Sequence, residues 1–302
     1  MPATNPSASD VLQERLVAIL NTASGSFTPQ APSEVRSIFD GSGLPHGEVI
    51  CASPAELDGV LDEAMERADV LVVLGGDGTI RTAAEKSGHS GNVLIPLPGG
   101  TMNLLPRALY GARGWREALS DTLASPKLHS ISGGRAGPLS FYVAAVVGAP
   151  TLWADAREAV RERRFIEALR RAATAVRRHV SEPLNYVFDG RLTGSAEAVA
   201  VMCPLVSKVM NEDEEMLEAA AIDTRSAGEM LRLGVNTLLD NWRNDPAVVR
   251  AKVRKVVVTG HGRIPLTVDG ELMRLGRRVE IEFIPLAFRS LVPSESGQPP
   301  KV

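Results

Sequence analysis

The stretch that decides the fold is "VLVVLGGDGTI", residues 70–80. Its run of Val and Leu predicts a strand that is buried on both faces, as in a parallel sheet. Gly75, Gly76 and Gly78 follow the strand, and the backbone N–H groups of such a loop can hold a phosphate. Asp77 stands among these glycines, so a carboxylate lies where a phosphate is expected.

A second stretch, "PLPGGTMN" at 96–103, repeats the arrangement of an apolar strand, two glycines and a helix start. Both loops are expected at the carboxyl edge of a parallel sheet, where open α/β sheets bind ligands. Thr79 and Thr101 are expected to cap the following helices and to offer hydroxyl groups to a phosphate. Two tight turns are the alternative, but two such loops on neighbouring strands favour a nucleotide site.

The order of elements predicts an α/β fold with two domains. Strands and helices alternate up to about residue 127, which is typical of a doubly wound parallel sheet. Later strands come without intervening helices, which predicts a mainly antiparallel sandwich or barrel with helical insertions at 151–180 and 226–243. The predicted parts are a nucleotide-binding domain at 12–127 to which 286–293 returns, a β-rich acceptor domain at 128–285, and disordered tails at 1–11 and 294–302.

Composition excludes several classes of protein. The 302 residues carry a formal net charge of −3 and a pI near 6.0, which argues against general nucleic-acid binding. The two cysteines and five histidines are scattered, so neither a disulfide framework nor a zinc site is expected. No apolar run approaches the length of a membrane span. The expected location is the cytoplasm, with peripheral contact at the inner membrane face left open.

Four motifs together resemble the diacylglycerol kinase catalytic family, which includes bacterial lipid kinases and the sphingosine and ceramide kinases. They are "GGDGT" at 75–79, "PGGTMN" at 98–103, an N-x-x-S-G pattern at 21–25 and "VDGE" at 268–271. The resemblance covers about residues 14–293. "GGDGT" is also shared with NAD kinases, whereas "PGGTMN", "VDGE" and the terminal "IPLAFRSLVP" at 284–293 point to the lipid-kinase branch.

The resemblance implies an ATP- and Mg²⁺-dependent lipid kinase with its nucleotide site in the interdomain cleft. It implies that Asp269 is the general base and that Glu271 lies beside the transferred phosphate. For "VDGE" the residues alone favour a hairpin turn, since Asp-Gly is a strong turn signal. The implied nucleotide-contacting residues are Asn21, Ser24, Gly25, Gly75, Gly76, Gly78, Thr79, Gly100, Thr101 and Asn103.

Asp77 needs an arrangement that keeps its charge away from the phosphates. Two unit charges about 4 Å apart repel by roughly 4 kcal/mol at an effective dielectric near 20. The carboxylate could reach Mg²⁺ directly or through water, take the proton of the attacking hydroxyl, or accept N–H bonds from its own loop. The Mg²⁺ network is the favoured prediction.

The acceptor is expected to be diacylglycerol or a related lipid alcohol. The segment "GAPTLWADAREAVRER" at 148–163 departs from the family pattern, which leaves the acceptor undefined. Eight arginines at 157–178 predict either contact with an anionic membrane or an ordinary packed surface helix. A homodimer is left open. The alternative functions are an NAD kinase and an inactive nucleotide-binding regulator.

Overall fold

The computed structural model describes residues 7–44, 46–148, 183–223 and 242–294. The predicted helix at 151–180, with the arginine-rich segment 157–178, and most of the predicted helix at 226–243 lie outside the described residues. The chain folds as two units. The first runs through Gly133 and resumes at Pro285, and the second is Gly134–Ile284.

The first unit is built on a parallel sheet. Its strands are β1 (Leu16–Asn21), β2 (Glu48–Ala52), β3 (Val70–Gly75) and β4 (Val93–Pro98), in the order β2-β1-β3-β4. The last strand of the chain, β16 (Arg278–Pro293), runs parallel to β4 at Arg289 and Ser290. The helices are α1 (Ala8–Leu12), α2 (Ala31–Gly41), α3 (Leu57–Arg67), α4 (Asp77–Ser90), α5 (Leu104–Tyr110) and α6 (Trp115–Ala124).

Local sequence explains these elements. β1, β3 and β4 are buried along their whole length, as expected where helices cover both faces of a parallel sheet. α3 buries Leu61 and Ala64 at helical spacing. α4 ends before Gly91, whose φ of 87° is the left-handed conformation that glycine adopts without strain. The predicted doubly wound fold is therefore confirmed.

Helix α1 corrects the expectation of a disordered tail at 1–11 for residues 7–11, the part of that tail that the structure describes. The Ser7 hydroxyl accepts a bond from the Asp10 N–H at 3.1 Å, and the Asp10 carboxylate accepts the Ser7 N–H at 3.1 Å. This reciprocal pair is a capping box. The sequence contained the signal, because Ser7 and Asp10 have the S-x-x-D spacing of such a box.

The second unit is antiparallel. Its strands are β5 (Pro126–Ala136), β6 (Leu139–Phe141), β7 (Ala144–Gly148), β8 (Leu184–Phe188), β9 (Leu192–Ala196), β10 (Ala198–Met202), β11 (Leu217–Ile222), β12 (Val248–Val253), β13 (Lys255–Thr259), β14 (Pro265–Val268) and β15 (Glu271–Arg274). A six-stranded sheet has the order β12-β11-β10-β7-β14-β15, and a second group pairs β9 with β8, β8 with β13, and β13 with the start of β16. β5 enters this unit from the first and pairs with β6.

One hydrophobic core joins the two strand groups of the second unit. Val147 and Val201 of the six-stranded sheet belong to the same buried cluster as Phe188, Val258 and Ile281 of the other group. No barrel closes in the part of the chain that the structure describes. The arrangement is therefore two packed antiparallel layers, which is the sandwich of the two predicted alternatives.

A buried ion pair braces the outer part of the six-stranded sheet. The Arg243 guanidinium donates to both carboxylate oxygens of Glu218, at 2.7 and 3.2 Å, and the Ser207 hydroxyl donates to the second oxygen at 2.6 Å. The side chains of Glu218 and Arg243 are 2% and 11% exposed. Removing one partner would leave the other charge buried without compensation.

We expect Glu218→Gln to lower the free energy of unfolding by about 3–5 kcal/mol, because a buried Arg243 loses its counter-charge. Urea denaturation measures the change. Glu280→Gln is the control, since the side chains of Glu280, Lys255 and Arg278 are 38%, 45% and 58% exposed, and ion pairs open to solvent contribute little. Equal stability of the two variants would show that the Glu218 pair does not brace the sheet.

Candidate active site

Three loops meet at the carboxyl edge of the parallel sheet in the first unit. Asn21, Gly75 and Pro98 end the neighbouring strands β1, β3 and β4. The Gly99 N–H donates to the Gly75 carbonyl at 2.9 Å, and the Ser26 N–H donates to the Gly99 carbonyl at 2.9 Å. The loops after β1, β3 and β4 are thus connected through their backbones, and both glycine loops lie at the edge where they were predicted.

The glycines are required because the two glycine loops touch. A Cβ atom on Gly99 would lie 2.8 Å from both the backbone N and O of Gly75, and one on Gly100 would lie 2.8 Å from the Cα of Gly76. These distances are shorter than real Cβ contacts. Only glycine therefore allows this approach, which keeps the backbone N–H groups of both loops at one edge.

Gly99→Ala is expected to push the loops apart and to weaken any ligand that they share. A displacement near 1 Å at such a site can cost about 100-fold in rate. Nucleotide affinity and turnover measure the effect. Gly59→Ala is the matched control, because a Cβ there meets nothing within 4 Å in helix α3. If Gly99→Ala behaved like Gly59→Ala, close contact of the loops would be unnecessary.

Asp77 connects the two glycine loops. Its carboxylate oxygens accept the N–H groups of Asn103 at 3.0 Å and of Leu104 at 2.6 Å. None of the three predicted arrangements of this side chain includes these bonds, because the donors belong to the second loop rather than to its own. Each oxygen retains a lone pair, so the bonds leave room for a metal contact.

Asn103 shapes the second loop. Its backbone is left-handed, with φ 51° and ψ 49°, and its side chain is buried at 9% exposure. The side-chain oxygen accepts the Gly100 N–H at 2.7 Å, and the side-chain amide donates to the Gly100 carbonyl at 2.8 Å. Asn103 therefore closes a tight ring with Gly100, which is how the "PGGTMN" motif acquires its shape.

The loop after β1 presents one polar atom without a partner. The Asn21 amide donates to the Thr79 hydroxyl at 3.0 Å, and the Asn21 oxygen accepts the Ala23 N–H at 3.0 Å. In the described structure the Ser24 hydroxyl oxygen is buried and has no hydrogen-bond partner. Asn21 and Ser24 are both predicted nucleotide contacts, but they differ. The Asn21 side chain is used to organise the loop, whereas the Ser24 hydroxyl can still bond a ligand. Gly25 lies beside the second loop, since a Cβ atom placed on it would be 3.8 Å from the Gly99 carbonyl oxygen.

The capping roles predicted for the two threonines are wrong. The N-cap of α4 is Gly76 and that of α5 is Asn103. Thr79 lies within α4, where its hydroxyl accepts the Asn21 bond, and Thr101 is exposed ahead of α5. Because α4 has no side-chain cap, the N–H groups of its first turn, which includes Gly78, remain available to an anion.

Arg107 is a candidate residue that sequence reasoning did not assign. A cavity of about 820 Å³ beside the second loop is lined by Ser26, Pro98, Asn103, Arg107 and residues 111–117. Arg107 is exposed on α5, one turn beyond Asn103. The sequence signal that could have identified Arg107 is its position four residues after Asn103, because one helical turn places Asn103 and Arg107 on the same side of α5.

In the second unit, "VDGE" forms the turn between β14 and β15. Asp269 and Gly270 have φ values of 43° and 89°, the two positive angles of a type I′ hairpin turn. The Asp269 carboxylate accepts the N–H groups of Tyr142, Val143 and Ala144 at 2.8, 3.0 and 2.9 Å. Asp269 is 5% exposed, so its carboxylate fastens the hairpin to the segment before β7.

The surroundings of Asp269 differ from those of Glu271. Burial and the nearby Asp269 carboxylate raise the pKa of the Cys203 thiol well above its usual value. Glu271 starts β15 and is half-buried. Of the two predicted acidic residues, only Glu271 is partly exposed, as contact with a substrate requires.

Two properties of the described residues bear on metals and membranes. They contain no group of three or more His, Cys, Asp or Glu side chains placed to hold a metal ion. Within the same residues, no helix is both long enough and apolar enough to cross a bilayer. A site of the kind that Mg²⁺ uses with nucleotides needs only one or two carboxylates plus phosphate oxygens, so Asp77 alone fits that requirement.

Part of the first unit matches a known protein family. Residues 15–136 match the diacylglycerol kinase catalytic domain. This match confirms the predicted resemblance and supports a kinase of the lipid-kinase family, which implies a nucleotide and a lipid as substrates. The matched residues include the first three motifs, whereas "VDGE" lies beyond them.

Solved structures share the fold over nearly the whole chain. A diacylglycerol kinase from Bacillus anthracis strain Sterne is 16% identical and superposes with a TM-score of 0.71, covering 93% of this chain and 98% of its own. A candidate diacylglycerol kinase from the same strain is 16% identical with a TM-score of 0.73, covering 94% and 99%. At this identity the likeness establishes the fold and leaves the acceptor to be determined.

Proposed function

We propose that this chain is an ATP-dependent lipid kinase that phosphorylates the hydroxyl group of diacylglycerol or a related lipid alcohol. The observation that carries the proposal is the contact between the two glycine loops, which collects backbone N–H groups and the uncapped start of α4 at one sheet edge. Such an edge suits the phosphates of a nucleotide. The match of residues 15–136 to the diacylglycerol kinase catalytic domain supports the same proposal.

The first unit would bind the nucleotide. We assign the phosphates to the loops of Gly75, Gly76 and Gly100 and to the first turn of α4, with the Ser24 hydroxyl as a further donor. Arg107 would balance phosphate charge from the adjoining cavity. Mg²⁺, when bound with the nucleotide, would be held by Asp77 directly or through water and would neutralise phosphate charge.

The second unit would supply the proton acceptor. The acceptor hydroxyl oxygen forms a bond to the γ-phosphorus, the bond from that phosphorus to the β,γ-bridging oxygen breaks, and ADP leaves. The hydroxyl proton must pass to a base. Asp269 was predicted for this role, but its carboxylate already accepts three backbone N–H groups. We therefore propose Glu271 as the base and Asp269 as the residue that fixes the hairpin carrying it.

The proposal extends to the membrane surface. A lipid acceptor lies in a bilayer, and the eight arginines of 157–178 would favour an anionic one at the inner face of a cytoplasmic membrane, since each contributes about 1 kcal/mol near such a surface. This segment lies outside the described residues, so its role rests on the sequence. A homodimer stays a prediction.

An acceptor panel tests the proposal. The purified chain is mixed with Mg²⁺ and ATP labelled on the γ-phosphate, and separately with diacylglycerol, sphingosine, ceramide and NAD. We expect label in a lipid product, with diacylglycerol the best acceptor. Label on NAD alone would establish the NAD kinase alternative. Nucleotide binding without any labelled product would establish an inactive regulator.

A further inference from the structure

We propose that Asp77 is a positioning residue, which holds the second glycine loop in its nucleotide-binding shape even without a metal. The inference rests on the proposed function and deepens it. It gives Asp77 a role that differs from the metal contact and from proton transfer, because the carboxylate acts on the nucleotide through the protein backbone.

The bonding of Asp77 carries the inference. Both oxygens are used, one by the N–H of Asn103 and one by the N–H of Leu104. These donors lie 26 and 27 residues further along the chain, in the other glycine loop. Bonds to a charged acceptor are about twice as strong as neutral ones, so one side chain makes two strong bonds across the junction between the loops.

The bonds act where the second loop is least favourable. Asn103 has a positive φ of 51°, a left-handed conformation that asparagine tolerates better than other residues with a side chain but that is still less favourable than the right-handed one. The Asp77 carboxylate accepts the N–H groups of Asn103 and Leu104. The Asn103 side chain in turn bonds both the N–H and the carbonyl of Gly100. A continuous path of hydrogen bonds therefore runs from Asp77 through Asn103 to Gly100.

The isosteric substitution Asp77→Asn separates this role from the other two. An amide retains one acceptor oxygen, but its NH₂ group would face the N–H of Asn103 or Leu104, so one bond is lost and two donors oppose each other. If Asp77 served only as a metal ligand or a base, Asp77→Asn would leave metal-free nucleotide binding unchanged or strengthen it, because a negative charge near the phosphates is removed. A positioning role predicts weaker binding of ATP in EDTA.

The first measurement is amide hydrogen exchange in the chain without nucleotide. We expect the Asn103 and Leu104 amides to exchange faster in Asp77→Asn than in wild type, with the β3 amides unchanged. The second is ATP binding in EDTA by calorimetry, where we expect the dissociation constant of Asp77→Asn to rise by about 10- to 100-fold. Asp58→Asn, which removes an exposed carboxylate from the same unit, is the control for both.

Asp77→Glu provides a second variant that retains the charge. A longer side chain displaces both oxygens, so we expect the same faster exchange and weaker binding, whereas a role of charge alone predicts wild-type binding. Unchanged exchange at Asn103 and Leu104, or unchanged metal-free ATP affinity in both variants, would overturn the inference. The proposed function would still stand in that case if the wild-type chain binds ATP. Absence of nucleotide binding by wild type would overturn the proposed function, and the inference with it.

Discussion

Glu271→Gln is expected to lower the rate of phosphoryl transfer by about 10²–10⁴-fold, the usual contribution of a general base. Glutamine retains the size of the side chain and cannot accept the hydroxyl proton. Nucleotide affinity is expected to stay at the wild-type value, because the glycine loops and α4 belong to the other unit. Steady-state kinetics with a lipid acceptor separate the rate from the nucleotide affinity. The expected result is a lower kcat with unchanged nucleotide binding.

Glu215→Gln is the matched control, since Glu215 is an exposed acidic residue of the same unit whose side chain pairs with Arg254. Its kcat should equal that of wild type. A Glu271→Gln variant with full kcat would remove Glu271 from the chemistry and return Asp269 to first place as the base.

Asp269→Asn is expected to reduce the free energy of unfolding by about 3 kcal/mol or more, because buried N–H groups lose a charged acceptor. Asparagine would direct its NH₂ group at the N–H groups of Tyr142, Val143 or Ala144. The type I′ turn itself should survive, since asparagine tolerates a positive φ there. Thermal or urea denaturation measures the loss.

The chain contains a matched control for this substitution. Asp189 also precedes glycine in a turn with positive φ, and its carboxylate accepts the N–H groups of Arg254 and Lys255, but it is exposed. Asp189→Asn should therefore cost much less stability. Loss of turnover in Asp269→Asn with wild-type stability would instead mark Asp269 as the base.

Local patterns made the fold predictable. The buried strands β1, β3 and β4 are rich in Val, Leu and Ile, and glycine pairs follow two of them, so the parallel sheet and its candidate ligand edge could be inferred from residues 16–103 alone. The change in strand spacing predicted a boundary near residue 128, whereas the two units divide between Gly133 and Gly134. The two threonine caps were misjudged because α4 begins at Asp77, before Thr79, and α5 begins at Leu104, after Thr101, so Gly76 and Asn103 occupy the cap positions.

The long-range bonds of the site could not be inferred in the same way. Asp77 and Asp269 bind backbone N–H groups of Asn103, Leu104 and Tyr142–Ala144, and nearly every residue carries such a donor, so no side-chain pattern marks the partner. The structure therefore changes the interpretation of both aspartates. Each holds a turn or loop in place, and Glu271 is left as the candidate for proton transfer.

The most direct measurement of the central claim is the joint yield of ADP and lipid phosphate monoester from ATP and diacylglycerol in anionic mixed micelles. The wild-type chain is expected to form the two products in equal molar amounts, and to form neither when the lipid is omitted. ADP that appears without lipid monoester, or a bound nucleotide that is never consumed, would contradict the assignment as a lipid kinase.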